Sequence, residues 1–433
     1  MAIQIYLHTL SNEEPKLIYD SEQNNKYNIV PGVLKKQINK PEYFEFDVYL
    51  QNEYDPDYDS EAFGLPLYVG YSYISIEDTE YSNDDNNGIL FYGRISGIVY
   101  ELSGVRHVSC DGLLSNLSDF PMYMPSSETP GYGRLSPEEF DKANGIHNVH
   151  TRDTKYIFQY AITAYNEGTE RNDIVLGTVS SNNVYTKEPS EDDDDNWFSF
   201  KYPWNQSVMD FIQSNLINVY GGLIEMKYSK KYNGRIQGTI NWVDEPINNK
   251  QKYKRRKQDI VYAENLIEAT YEDITSDCIS GILYTGQNKY GGVIFQSNRY
   301  NGHYRPAVAF GTNYGGAYDI VKHVHFDQAR TFNQLEKQAK RYAKFHCCNR
   351  KFRINGTCLD RHFIDVFNDG NKNFDLIDIG YTYTVKVYFP YMEIDEELVC
   401  LSCEIDIGNM KNSSYVFGDY IPPDLLKSRY ITG

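Results

Sequence analysis

Apolar and polar positions alternate along much of the chain, at the period of two that gives a strand one buried face. Residues 43–50, 67–76 and 89–102 carry this pattern in aromatic and β-branched residues, as in Tyr43-Phe44-Glu45-Phe46-Asp47-Val48. Between the last two lies a run from Asn83 to Gly88 made of Asn, Asp and Gly, which predicts a loop. Strands of this length favour a barrel or a sandwich over a small open sheet.

From Ser118 the period lengthens. Ser136-Pro137-Glu138-Glu139 has the spelling of a helix start, with Gly145 as its stop. A second helix is predicted over 154–166, with Ile157, Tyr160, Ala161 and Ala164 on one face. A third, over 207–220, carries the stripe Val208, Phe211, Ile212, Leu216 and Val219 and ends at Gly221-Gly222. Strands follow at 223–228 and 238–243. Thr331-Phe332-Asn333-Gln334 is a capping box for a helix to about His346, with Leu335, Ala339, Tyr342 and Ala343 toward the core. Strand-like segments then run to Phe417, broken by turn clusters such as Asn368-Asp369-Gly370-Asn371.

The expected fold class is therefore mainly β (α+β). Residues 1–118 form a first β domain, 119–200 a helix-containing insertion, and 201–418 a helix, a hairpin and a second β domain. Residues 419–433 form a tail.

Charge narrows the function. The formal net charge is −18 over 433 residues, which disfavours a sequence-reading DNA binder or docking on an anionic membrane. Forty tyrosines against 21 Phe and 3 Trp suit half-buried strands and contact surfaces, because the ring packs while the hydroxyl stays wet. Seven cysteines, Cys110, Cys278, Cys347, Cys348, Cys358, Cys400 and Cys403, have no disulfide-module spacing and read as reduced thiols. The first ten residues lack the basic and apolar regions of a secretory signal, and no apolar run reaches the roughly 20 residues of a spanning helix.

Candidate chemistry is sparse. His323-Val324-His325-Phe326-Asp327 has the alternation that puts three metal-ligand types on one face of a strand, and an exposed strand of alternating polar residues has the same spelling. Cys400 and Cys403 lie three apart, which in a regular strand points them to opposite faces. His346, Cys347, Cys348 and Cys358 offer soft ligands without a four-ligand spacing, so buried thiols are the expectation. Residues 188–196, with Asp192 to Asp195 in a row, read as a solvated acidic loop and lack the glycine and distal glutamate of a calcium loop. The run Lys250 to Lys257 is basic and reads first as a solvated loop, with contact to nucleic acid or to an acidic partner subunit as the alternatives. No nucleophile elbow, zinc-protease helix or phosphate loop occurs. No catalytic, cofactor-binding or metal residue is assigned.

Several segments, in order, resemble the tail-hub family of phages infecting Gram-positive bacteria, the tail-associated lysin or prophage endopeptidase tail proteins. Leu34 to Asn39, then Tyr43-Phe44-Glu45-Phe46 and Asn52 to Pro56, are similar to that family's opening, with Gln37 where an acidic residue stands and Pro56 displaced. Ile89 to Ile95 resembles its "leu-phe-x-Gly-Arg-Val" strand, and His107 to Leu117 its "val-x-Cys-Glu-Gly-x-Leu" segment. Ile162 to Asn166 with Val175 to Val179 resembles a further pair, Tyr165 replacing histidine. Met209 to Met226, Gln258 to Leu266, Asp378 to Val385 and Ser414 to Gly418 resemble its helix, "Gly-Gly" strand and closing strands.

The resemblance implies two tube-like β-barrel domains per subunit with an α/β insertion, arranged as a homotrimeric pseudo-sixfold ring. It also implies a structural role in the virion, at the tail tip, after assembly in the host cytoplasm. Expected partners are a distal tail protein ring, a tape measure protein, tail fibre or receptor-binding proteins and passing double-stranded DNA, with no membrane anchor and no cofactor. Many family members continue into a peptidoglycan hydrolase. Here the sequence ends at Gly433, so no enzyme is expected. The competing readings are a tail-associated peptidoglycan hydrolase or endopeptidase, and a carbohydrate-binding receptor module using the Tyr-, Asn- and Gly-rich loops over 287–316.

Overall fold

The computed structural model describes residues 3–9, 14–23, 27–49, 65–79, 88–122, 148–151, 154–180, 198–201, 206–218, 221–231, 235–243, 258–273, 279–287, 292–295, 297–300, 303–306, 308–310, 321–326, 332–347, 352–363, 374–410 and 413–418. The helix expected after Ser136, the acidic loop over 188–196, the basic run over 250–257 and the turn at 368–371 lie outside them.

The chain is mainly β, as its alternation predicts. The first strands are β1 (Ile3–His8), β2 (Lys16–Asp20), β3 (Ile29–Gln37), β4 (Tyr43–Val48), β5 (Tyr73–Asp78), β6 (Ile89–Tyr100) and β7 (Arg106–Gly112), followed by the short helix α1 (Ser115–Asp119). The middle of the chain gives β8 (Asn148–Thr151), α2 (Thr154–Thr169), β9 (Ile174–Val179), β10 (Phe198–Lys201), α3 (Val208–Ile212), β11 (Leu223–Lys230) and β12 (Ile236–Val243). Then come β13 (Ile260–Val261), β14 (Leu266–Asp273), β15 (Gly281–Gln287), β16 (Val293–Phe295), β17 (Ser297–Tyr300), β18 (His303–Pro306), β19 (Val308–Phe310), β20 (Val321–Phe326) and α4 (Phe332–His346). Last are β21 (Phe352–Cys358), β22 (Thr382–Phe389), β23 (Met392–Asp406) and β24 (Ser413–Gly418).

Thirteen strands from the two ends of the chain form one curled, half-barrel sheet. Its order is β14-β21-β24-β23-β3-β4-β7-β6-β5-β1-β2, with β22 on β23 and β13 on β22. Within it a five-strand pattern occurs twice. In chain order β3, β4, β5, β6, β7 match β14, β21, β22, β23, β24, and in space the antiparallel ladder β5-β6-β7-β4-β3 matches β22-β23-β24-β21-β14.

The match extends to irregularities. The register of β6 on β7 slips between Ile95 and Gly97, and that of β23 on β24 slips between Cys400 and Ser402. Such a bulge bends the strand and sharpens its twist. Each is held by a glycine with φ +78°: the Gly70 amide donates to the Ile95 carbonyl and the Gly380 amide to the Cys400 carbonyl, both at 2.8 Å. One apolar core runs under both halves, from Ile3, Ile5 and Phe44 to Tyr383, Ile405 and Phe417.

The insertions keep their own cores. α1, α2 and α3 pack with the sheet β11-β12-β9, burying Leu117, Phe158, Phe211 and Trp242. The predicted faces of the second and third helices are buried as expected, including Ile157, Tyr160, Ala161, Ala164, Val208, Phe211, Ile212 and Leu216. Ser207 caps α3 by accepting the Asp210 amide at 3.0 Å, and the helix widens into a π-turn over Gln213–Ile217. Between β14 and β21, α4 covers the sheet of β15, β16, β19 and β20 with Leu335, Ala339, Tyr342 and Ala343, the face its pattern predicts. No described helix is long and apolar enough to cross a membrane.

Candidate functional site at the joint between the two β halves

The two halves meet edge to edge where β23 pairs with β3, Cys403 opposite Lys36, Glu404 opposite Lys35 and Ile405 opposite Leu34. The ladder is extended at both ends by the Ile38 amide donating to the Leu401 carbonyl and the Ile407 amide to that of Gly32. β23 is long enough to serve two neighbours on one side. Its first part pairs with β22 and its last with β3.

Alternation puts Lys36 on the buried side of this joint, with only 6% of its side chain exposed. Its ammonium lies 3.3 Å from Asp378 and 3.7 Å from Glu42. Burial disfavours the charge, but the two carboxylates outweigh it and hold Lys36 above the usual lysine range. Burial pushes Glu42 up, opposed by Lys36 and by the Tyr228 hydroxyl, which donates to Glu42 at 2.9 Å. Tyr228 lies on β11, so this ion cluster ties the insertion to both halves. Asn39, with φ +58°, adds a second tie: its side chain accepts the Ile224 amide at 2.7 Å, and its carbonyl accepts from Gln213 Nε2 at 2.9 Å. A cavity of about 70 Å³ opens here between Lys36, Glu42, Leu223, Glu225, Tyr228 and Asp378.

A second buried cluster joins the halves elsewhere. His362, in the 3-10 turn Arg361–Phe363, pairs with Asp78 at the end of β5 through Nε2, at 2.8 Å. Its Nδ1 lies 2.9 Å from the Phe374 carbonyl, which fixes it as a donor there. Burial would lower the imidazole, yet Asp78 and Asp360 raise it above its ordinary value. Asp360 accepts from Gln258 Nε2, the amides of His362 and Ile377, and the Tyr415 hydroxyl. Every one of these charged groups is engaged in holding elements together.

The residues singled out from sequence fall elsewhere. His323 and His325 share a face of β20, and both rings hydrogen-bond Thr285 Oγ1 on β15, at 2.9 and 2.8 Å; Asp327 lies outside the described residues. Among the described residues no group of three His, Cys, Asp or Glu side chains is placed to share a metal ion. The expectation that Cys400 and Cys403 face opposite ways is corrected. The bulge between them turns both into the core, at 0% and 1% exposure. Cys110, Cys347 and Cys358 are buried too, and burial raises the thiols of Cys110, Cys358, Cys400 and Cys403.

Sequence reasoning assigned no role to Lys36, Glu42, Asp78, Asp360 or His362. The available signal was a charged residue at a core position of an alternating strand. Lys36 and Asp378 do fall inside two of the segments that carry the family resemblance.

Among solved structures the chain is similar over its whole length to prophage tail protein gp18 of Listeria monocytogenes EGD-e, at 9% identity, 98% and 97% coverage of the two chains and TM-score 0.54. It is also similar to the 43 kDa tail protein of prophage MuSo2 from Shewanella oneidensis (10% identity, 98% and 99% coverage, TM-score 0.51). A tail protein from Neisseria meningitidis MC58 compares likewise (11%, 96% and 95%, 0.51). No family model and no curated protein sequence matches. The chain thus has the fold of phage tail proteins. Because that fold recurs in proteins from three bacterial genera, it does not single out phages of Gram-positive hosts.

Proposed function

We propose that this chain is a structural tail-tip protein: a baseplate-hub subunit that caps the distal end of a phage tail tube as a homotrimer. In this reading it anchors adjacent tail proteins (a distal tail ring, the tape measure and fibre or receptor-binding proteins) and gates the passage of DNA. One observation carries it. A five-strand unit occurs twice and is fused edge to edge through β3 and β23 into a single curled sheet. A subunit built this way supplies two successive segments of a ring wall, and three subunits supply six.

The whole-length likeness to prophage tail proteins supports the virion setting. The buried charges at the joints support a scaffold rather than a catalyst, since each is committed to another element of the fold. Antibodies raised against the chain and applied to particles containing it should decorate the distal end of the tail in electron micrographs. Decoration of the capsid, or of no part of the particle, would overturn the reading.

A further inference from the structure

Among the described residues the internal repeat leaves two strand edges unmatched. β23 ends by pairing with β3, and its repeat counterpart β6 has a counterpart to β3 available in β14. Inside one chain these two strands do not meet. Among the described residues the only strand that β14 pairs with is β21, apart from a bridge of Leu266 to Tyr262 at its start, and β6 beyond Ile95 pairs only with β7. Each half therefore repeats one side of the β3–β23 joint, and no strand among the described residues covers either side.

Exposure marks the same two edges. With the bulges aligned, Ile95 corresponds to Cys400, Tyr100 to Ile405 and Leu102 to Ile407. Ile405 and Ile407 are 0% and 1% exposed at the joint, whereas Tyr100 and Leu102 are 70% and 110% exposed, with Val99 at 64%. An arm with apolar side chains and an unpaired edge is a template for another strand. On the facing side, Leu34 of β3 is fully buried, while its counterpart Tyr271 of β14 is only partly so. Leu34 pairs with Phe44 and so reaches Cys110 and Ile95, as Tyr271 pairs with Ile354 and reaches Phe417 and Cys400.

We propose that the end of β6 in one copy of this chain pairs antiparallel with β14 of a second copy, reproducing between subunits the joint that β23 and β3 make within one. The register carries over. Val99 stands opposite Glu272, as Glu404 stands opposite Lys35, and Tyr100 stands opposite Tyr271, as Ile405 stands opposite Leu34. The contact is head-to-tail, using different surfaces on the two partners, so repetition builds a ring or a filament rather than a closed pair. That the ring closes at three rests on the hub reading; the strand assignment rests on the repeat.

The full-length chain carrying Val99→Cys and Glu272→Cys tests it. Opposed residues of an antiparallel pair lie about 4.5–5.5 Å apart between Cα atoms, within the roughly 4.4–6.8 Å a disulfide spans. Mild oxidation should link copies into thiol-reversible multimers ending at three, with the disulfide-bonded peptide pair joining positions 99 and 272 found by mass spectrometry, while either single variant and the parent stay uncrosslinked. Tyr100→Asp with Leu102→Asp should abolish assembly and leave a folded monomer that still unfolds cooperatively, at a temperature lowered only by the lost association. If the parent is a trimer and the double cysteine variant crosslinks no better than the single ones, the strand assignment is wrong and the hub reading stands. Crosslinked multimers that close at a number other than three keep the contact and remove the trimer. Crosslinking by Val99→Cys alone would show a symmetric contact and overturn the proposal.

Discussion

His362 Nε2 lies 2.8 Å from Asp78 Oδ2 across 284 residues of chain, with 2% and 0% of the two side chains exposed. The bond ties the turn after β21 in the second half to the end of β5 in the first. A buried pair is weak evidence for net stability, but removing one partner strands the other's charge. His362→Ala is expected to cost about 3–5 kcal/mol, measured by urea unfolding of the full chain. A loss below about 1 kcal/mol, the scale of a surface pair, would contradict the assignment.

The same pair sets a pH dependence. His362 is raised above 6.5 by Asp78 and Asp360 against its burial. The contribution is therefore fully present below the unfolded value of 6.5 and fades as pH rises through the folded value. The parent chain should lose stability on the alkaline side in a step that His362→Ala lacks. Equal slopes for the two would contradict it.

His8 behaves in the opposite sense. Burial, helped by Lys230, lowers it to about 4, with its Nε2 2.8 Å from Ser75 Oγ. A lowered imidazole must take up a proton to unfold, so stability falls as pH drops from 6.5 toward 4. A shift of this size amounts to about 3 kcal/mol at the acid end. His8→Gln should flatten that limb, and an unchanged acid limb would rule the mechanism out.

Lys36 tests the joint itself. Lys36→Met leaves the half-buried carboxylates of Glu42 and Asp378 without their cation and should cost more than the ~1 kcal/mol of a surface pair, toward the about 3 kcal/mol of a broken buried one. Adding Glu42→Gln and Asp378→Asn should recover most of it, because the charges being stranded are then gone. Failure of the triple variant to recover would show that packing, not charge, holds the β3–β23 joint.

Much of this fold is legible in the sequence, and the exceptions have physical causes. The stripe Val208, Phe211, Ile212 and Leu216 and the face Leu335, Ala339, Tyr342 and Ala343 give their helices directly, because burial of one face imposes its period. The Cys400 and Cys403 expectation fails at a bulge, since alternation assumes an unbroken ladder and one extra residue resets every face after it. The joint is not legible. Lys36 stands in phase with the core residue Leu34, but what neutralises it is hidden until β3 is placed beside β23, a pairing of distant ends of the chain, and His362 needs Asp78 from the other half. The five-strand repeat is equally hidden, because its two copies share strand order, bulges and the Gly70 and Gly380 turns rather than residues.

Charge gives a further expectation. Each copy carries −18, so in the proposed trimer three would carry −54, and acidic residues lining its passage would repel phosphate within the Debye length of about 8 Å at 0.15 M salt. The purified chain should not retain duplex DNA at that ionic strength. Tight retention released by salt would contradict a passage built to let DNA slide.

The mass of the purified full-length chain in solution tests the central claim most directly. Light scattering behind size exclusion should give about 151 kDa, three copies of a 50.2 kDa chain, unchanged on dilution through the micromolar range. A single species at 50.2 kDa under the same conditions would contradict a trimeric tail-tip hub.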